Sequence, residues 1–172
     1  MKDMNHTESM RNMKSMYVNL AIMAVLSFIS MFVFMYMMVD SFANVYPNIN
    51  QVYMAGLMTA PMIVIEIFVM WSMYNNKKAN LIIAGVSVLL LILFTAFIRY
   101  QTVVGDKQFL KSMIPHHAGA ILMCDNPNLR DQEVKDLCKS ITIDQQKEID
   151  WMKNKLDELE RTARAKGFAI GT

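Results

Sequence analysis

"LIIAGVSVLLLILFTAFI", residues 81–98, runs eighteen positions without a charged residue or a proline. As a helix it would reach about 27 Å, close to the roughly 30 Å hydrocarbon core of a bilayer. Two more runs of this kind precede it: "YVNLAIMAVLSFISMFVFMYMMV" at 17–39 and "VYMAGLMTAPMIVIEIFVMWSMY" at 52–74. A buried hairpin in a soluble core needs neither that length nor that repetition. The pattern predicts an all-α chain with a three-helix transmembrane region at 17–100, a flexible leader at 1–16 and a tail beyond. Run one is too long for a cleaved signal peptide, lacks a small-residue cleavage site and is followed by two further spans.

The short flanks predict orientation. Arg11 and Lys14 precede the first span, Asp40 is the charge between the first and second, and Lys77 and Lys78 lie between the second and third. Basic residues stay on the cytoplasmic side. The leader and the 75–80 loop are therefore expected in the cytoplasm, and the tail outside it, for a multi-pass protein of the cytoplasmic (inner) membrane. Arg99 sits on the opposite side, where it can snorkel from its helix end.

The tail holds eleven basic and eleven acidic residues from 101 onward, so no charge bias points to a partner. Basic patches with interleaved aromatics, zinc-finger spacing, glycine-rich phosphate loops and a GxSxG elbow are all lacking, and nucleic acid is not an expected partner. "GDKQFLKSMIPHHAGAILMC" reads as a helix starting near Asp106 as N-cap, with Pro115 expected to kink or tighten it. "DNPNLRD", 125–131, is a turn by composition. A second helix is expected from about Asp131, with apolar or small residues at 134, 137, 138, 141, 149, 152, 156 and 159 and Gln145 as the polar exception. These elements make a helical hairpin at 101–165, with fraying from 166 to 172 beyond Gly167.

At roughly 100° per residue, Met113, His116, His117, Ala120, Met123 and Cys124 share an arc of about 120°. Cys138, Ile141, Gln145, Ile149, Met152 and Leu156 form a matching stripe, with Glu148 at its margin. An antiparallel register centred on the turn sets Cys124 opposite Cys138, His117 near Gln145, and Met113 near Ile149 and Met152. Two amphipathic helices enclose little core. Two protomers pairing their hairpins into a four-helix bundle would supply the rest, and packing against the membrane helices is the rival solution.

Imidazole and thioether side chains gathered on one face suit a soft monovalent ion, Cu(I) above all, whereas magnesium and calcium take oxygen ligands. Met113, His116, His117 and Met123 are the candidate donors. Methionine filling core space beside hydrogen-bonded histidines is the plainer alternative. Zinc, through histidine, cysteine and carboxylate, is the second metal candidate. A di-iron centre needs inward glutamates and a Glu-x-x-His repeat, yet no histidine follows 117. The facing Cys124 and Cys138 are candidates for a disulfide; reduced structural thiols, metal ligation and redox sensing remain open for them.

Eighteen methionines in 172 residues extend the theme. Met54, Met58, Met62, Glu66 and Met70 recur at i+4 in the second span, where helix packing is the simple explanation and a thioether path for Cu(I) the other. Glu66, an intramembrane carboxyl by this reading, calls for a partner helix or a role in ion passage. Met1, Met4, His6, Met10, Met13 and Met16 in the leader suit either soft-metal capture or a disordered start.

"FLKSMIPHHAGAILMC" at 109–124 and "LCKSITIDQQKEIDWM" at 137–152 resemble the ferritin-like family called domain of unknown function 305, over roughly residues 106–160. The His-His pair, Met123 and Gln145-x-x-Glu148-Ile149-x-x-Met152 bear the likeness. "YMAGLMTAPM" at 53–62 and the paired cysteines are similar to a membrane-anchored branch with spans ahead of the domain. The resemblance implies a helical bundle, and copper binding or resistance, with Met113, His116, His117, Met123 and Met152 as ligand residues and Gln145 and Glu148 as support. Cys124 and Cys138 depart from the small residues of many relatives.

The expectation is then a membrane-anchored extracytoplasmic copper-binding protein that buffers Cu(I), and Ag(I) as well, or hands it to a donor or acceptor protein. No nucleophile–base pair or cofactor fingerprint calls for an enzyme. A metal-free structural or interaction subunit and a membrane redox protein are the competing classes.

Overall fold

The computed structural model describes the backbone of residues 2–170 and the side chains of residues 14–165. Within them the chain is helical throughout, without a strand. Helix α1 covers Lys2–Phe34, α2 Ile49–Val69, α3 Lys77–Arg99, α4 Asp106–Cys124 and α5 Gln132–Ile170, with 3-10 turns at Met35–Met38 and Phe42–Asn44. The chain divides into a unit built from residues through 34 with 52–102, and a second built from 35–51 with 103 onward.

Among the described residues, three segments are long and apolar enough to cross a membrane: Lys14–Met38, Ile49–Val69 and Lys77–Arg99. The second ends earlier than the apolar run suggests, because residues 71–73 turn out of the helix. Glu66 therefore occupies the last turn of α2 instead of the middle of a span, and its carbonyl accepts from Met70 N at 2.9 Å.

In the first unit, α2 is the packed helix. It buries Tyr53, Ala55, Gly56, Thr59, Ala60 and Ile67. The small residues admit α3: a Cβ built on Gly56 would lie 2.5 Å from the Phe94 ring, so a larger residue there would force the ring to move. Tyr53 stands 5.4 Å from Phe97 and donates its hydroxyl to the Thr102 carbonyl at 2.8 Å. Near the other end, Tyr17 donates to Asn80 Oδ1 at 2.7 Å, and Asn80 Nδ2 donates to Tyr74 O at 3.0 Å. Met54 and Met58 of the i+4 ladder point outward, whereas Met70 packs on the Leu20–Ile67–Tyr74 cluster. The leader residues Met1, Met4, His6, Met10 and Met13 lie outside the described side chains.

In the second unit, α4 and α5 run antiparallel. Cys124 meets Cys138, His117 meets Glu148 and Lys111 meets Glu160, so partners on α5 rise in number as those on α4 fall. The core is Leu110, Ile114 and Ala118 against Ile149, Met152 and Leu156, an i+4 row meshed with an i+3/i+4 row. Gly105 is the N-cap of α4 and Asp106 its first residue, one position from the expected cap. Asp131 caps α5 by accepting from Val134 N at 3.0 Å. Helix α5 continues through Gly167 to Ile170.

The hairpin is not alone. The segment 35–51 covers a second side of α4, with Val39 and Tyr46 packed on the core. Ile49 N donates to Gln108 Oε1 and Asn50 Nδ2 to Ser112 Oγ, both at 3.0 Å. Asn48 Nδ2 donates to the Lys111 carbonyl at 3.3 Å. That carbonyl lies four residues before Pro115, which has no N–H to give it. Helix α4 runs unbroken through its proline, and Asn48 Nδ2, which also reaches Tyr46 O and Gln51 Oε1 at 3.0 Å, offers that carbonyl a donor from another segment. A Cβ on Gly119 would come within 3.1 Å of Met38 O, so this third layer also approaches α4 closely there.

Candidate functional site

The seam between α4 and α5 places the chemistry. Because α4 is covered on two sides, its buried arc is wide: Leu110, Ile114, Pro115, His117, Ala118 and Gly119. By helical geometry these span about 200°. The arc expected from sequence was centred on the opposite flank, and the third layer explains the difference. Ala118, expected outside, is fully buried. His116 is exposed and Met123 is 61% exposed, so the shared inward face of both histidines and both methionines is corrected: His117 is inside, while Met113, Ala120 and Cys124 are half-buried at its edge.

His117 is held at both ring nitrogens. Nδ1 lies 2.9 Å from the Met113 carbonyl, one turn back on the same helix. A carbonyl only accepts, so Nδ1 carries hydrogen. Nε2 lies 2.6 Å from Glu148 Oε2. That short contact holds one proton, shared either between imidazolium and carboxylate or between imidazole and carboxyl. The two partners differ sharply in exposure, the His117 side chain at 10% and the Glu148 side chain at 59%. The ring is fixed in place, whereas the carboxylate has room to leave.

Met113 packs at the edge of the hydrophobic core and Met152 within it, one turn beyond Glu148. The His116 ring lies 6.0 Å from that of His117, tilted by 63°. Gln145 is half-buried on α5, but Glu148 takes the place opposite His117 that the sequence register gave to Gln145. The shift amounts to about one helical turn. Among the described residues, no three His, Cys, Asp or Glu side chains form a metal-binding group. The seam carries one buried imidazole, with Met113 and Met152 in the adjoining core.

At the turn end of the seam Cys124 and Cys138 face each other as free thiols. A hydrogen bond with the Cys138 side chain, and then burial, push the Cys124 thiol up to about 11. The register that sets them opposite is the expected one. Asn48 is the residue that sequence reasoning missed: Pro115 signals that the Lys111 carbonyl needs a donor, but nothing local says where it comes from.

The model of a family described as Domain of unknown function (DUF305) matches residues 96–166. Among curated proteins the chain is similar to "Uncharacterized protein L153" of Acanthamoeba polyphaga mimivirus, 36% identical over 121 residues, 69% of this chain and 78% of that protein. That alignment is longer than the family match. With few residues after 166, it must extend into the apolar helices before 96. No solved structure matches the chain.

Proposed function

The chain belongs to the family described as Domain of unknown function (DUF305), and on that premise we propose that it is a membrane-anchored protein whose α4/α5 hairpin binds Cu(I), and Ag(I) as well, for buffering, resistance or handover. His117 carries this reading. Its Nδ1–H is locked on a backbone carbonyl, the usual way a protein fixes the tautomer and aims Nε2 at a metal. Binding would displace the shared proton and swing the exposed Glu148 carboxylate aside. Met113 and Met152, which pack in the neighbouring core, would be the thioether donors, with Gln145 and Glu148 as support. His116 and Met123, both on the solvent side, would serve an incoming ion. The reading places the hairpin outside the cytoplasm, following Arg11, Lys14, Lys77 and Lys78. It pairs the hairpin with a second copy into a four-helix bundle and assigns it no turnover.

A metal-free structural subunit is the second reading. It is favoured by the two filled nitrogens of His117 and by the lack of a three-residue His, Cys, Asp or Glu group among the described residues. Titrating detergent-solubilised full-length protein with Cu(I) against a chromogenic chelator, under reductant, separates the two. The copper reading expects the site to weaken at least tenfold in His117→Ala and further in His116→Ala/His117→Ala. Equal affinity in wild type and both variants would assign the protein to the metal-free class.

A further inference from the structure

Cys124 and Cys138 are separate from the histidine site. Cys124 is the last residue of α4, seven positions and so about 10 Å along the helix from His117. The two thiols are free and half-buried, at the same end of the antiparallel hairpin. Both line a groove of about 570 Å³ with Pro127, Leu129, Lys135 and Lys139. The short turn between α4 and α5 keeps the two thiols together on this groove without a covalent link.

We propose that Cys124 and Cys138 form a second soft-metal site, a two-coordinate bis-thiolate position for a monovalent d10 cation, at the turn end of the hairpin. Thiolate is the ligand of choice for Cu(I) and Ag(I), and two facing sulfurs supply the linear pair that such ions accept. Binding one ion forms two sulfur–metal bonds and releases two protons, with no change of oxidation state. The resulting complex carries one negative charge in a groove that Lys135 and Lys139 also line, and their positive charges would offset it. The groove leaves the sulfurs reachable, so the ion can be exchanged with another thiol carrier. This site needs neither His117 nor the copper reading of the hairpin's middle.

The test uses full-length protein in detergent, kept anaerobic with a phosphine reductant and titrated with Ag(I). Ultraviolet thiolate-to-metal charge-transfer absorbance and proton release are read together. One equivalent should bring in the band with two protons released. Cys124→Ser and Cys138→Ser should each abolish the band, while His117→Ala keeps it, with hydrogen exchange across α4 and α5 confirming that every variant is folded. The proposal is overturned if the reduced wild type shows no band or if the band survives in folded Cys138→Ser. It is equally overturned if His117→Ala abolishes the band, or if the thiols close to a disulfide under reductant and take no metal. Loss of the chelator-measured copper site in His117→Ala with the band intact would separate the two sites. An intact band with no histidine-dependent site would leave this one standing alone.

Discussion

The two ends of the α4/α5 hairpin are built differently. At the end distant from the turn, Leu110, Ile114 and Ala118 mesh with Ile149, Met152 and Leu156 under a third layer of chain. At the turn end Met123, Leu137 and Ile143 are exposed and the contact is a pair of thiols. One end is dry and over-determined; the other is open. His117 and Glu148 stand at the border, the ring on the dry side and the carboxylate on the wet side. Stability and chemistry are thus separated along one pair of helices, and substitutions should respect that division.

Substitution of Ile149 should have the largest effect. The residue is fully buried, and Ile149→Ala should cost about 2–5 kcal/mol through lost burial and the cavity left behind. Leu137→Ala, on the same helix but 59% exposed, should stay within about 0.5 kcal/mol. Hydrogen exchange of α4 and α5 in the full-length protein reads both. Equal losses at the two positions would mean that the turn end is packed after all, against a second copy for instance, and would erase the contrast.

Asn48 comes next, because it explains why the dry end holds together. Its Nδ2 reaches the Lys111 carbonyl as well as Tyr46 O and Gln51 Oε1, and its Oδ1 accepts from Gln51 N at 3.1 Å, capping α2. Asn48→Ala should cost about 1–3 kcal/mol by leaving a buried carbonyl unpaired and a helix uncapped. Asn48→Asp separates the roles: it keeps the cap acceptor and loses the donor. Exchange should then rise around residues 111–115 while Gln51 stays protected. If both regions loosen together, the asparagine is acting as a general spacer and not as the donor that Pro115 requires.

The same contrast decides what was legible in the sequence. The three apolar helices were legible because bilayer thickness demands uninterrupted length, and the second was drawn too far only because Trp71, Met73 and Tyr74 are as apolar in the turn as in a span. The cysteine register was legible because the 125–131 turn is short and leaves little slack. The inward face of α4 was not. Amphipathic reasoning assumes one partner, and α4 has two, because residues 35–51 fold back onto it. Nothing in "VDSFANVYPNIN" at 39–50 announces that role, since its hydrogen bonds to α4 are single and distant in sequence and only Val39 and Tyr46 add apolar packing. His117 was identified correctly as inward, but His116 and Met123 were drawn in with it by the one-partner assumption.

The smallest effect lies at the open end and concerns pH. The Cys124 thiol is raised from its ordinary 9.0 to about 11, first by its bond to Cys138 and then by burial. A group whose pKa is raised on folding binds its proton more tightly in the folded state. The stabilisation is complete below about pH 9 and is lost as pH rises through about 11. Because only the thiolate reacts, iodoacetamide labelling of Cys124 should climb steadily between those values in the folded, metal-free protein. Cys138→Ala removes the principal cause, so the midpoint of that climb should move down toward the ordinary thiol value. An unchanged midpoint would show that burial alone raises Cys124, and the open end would then be as closed to water as the core it was contrasted with.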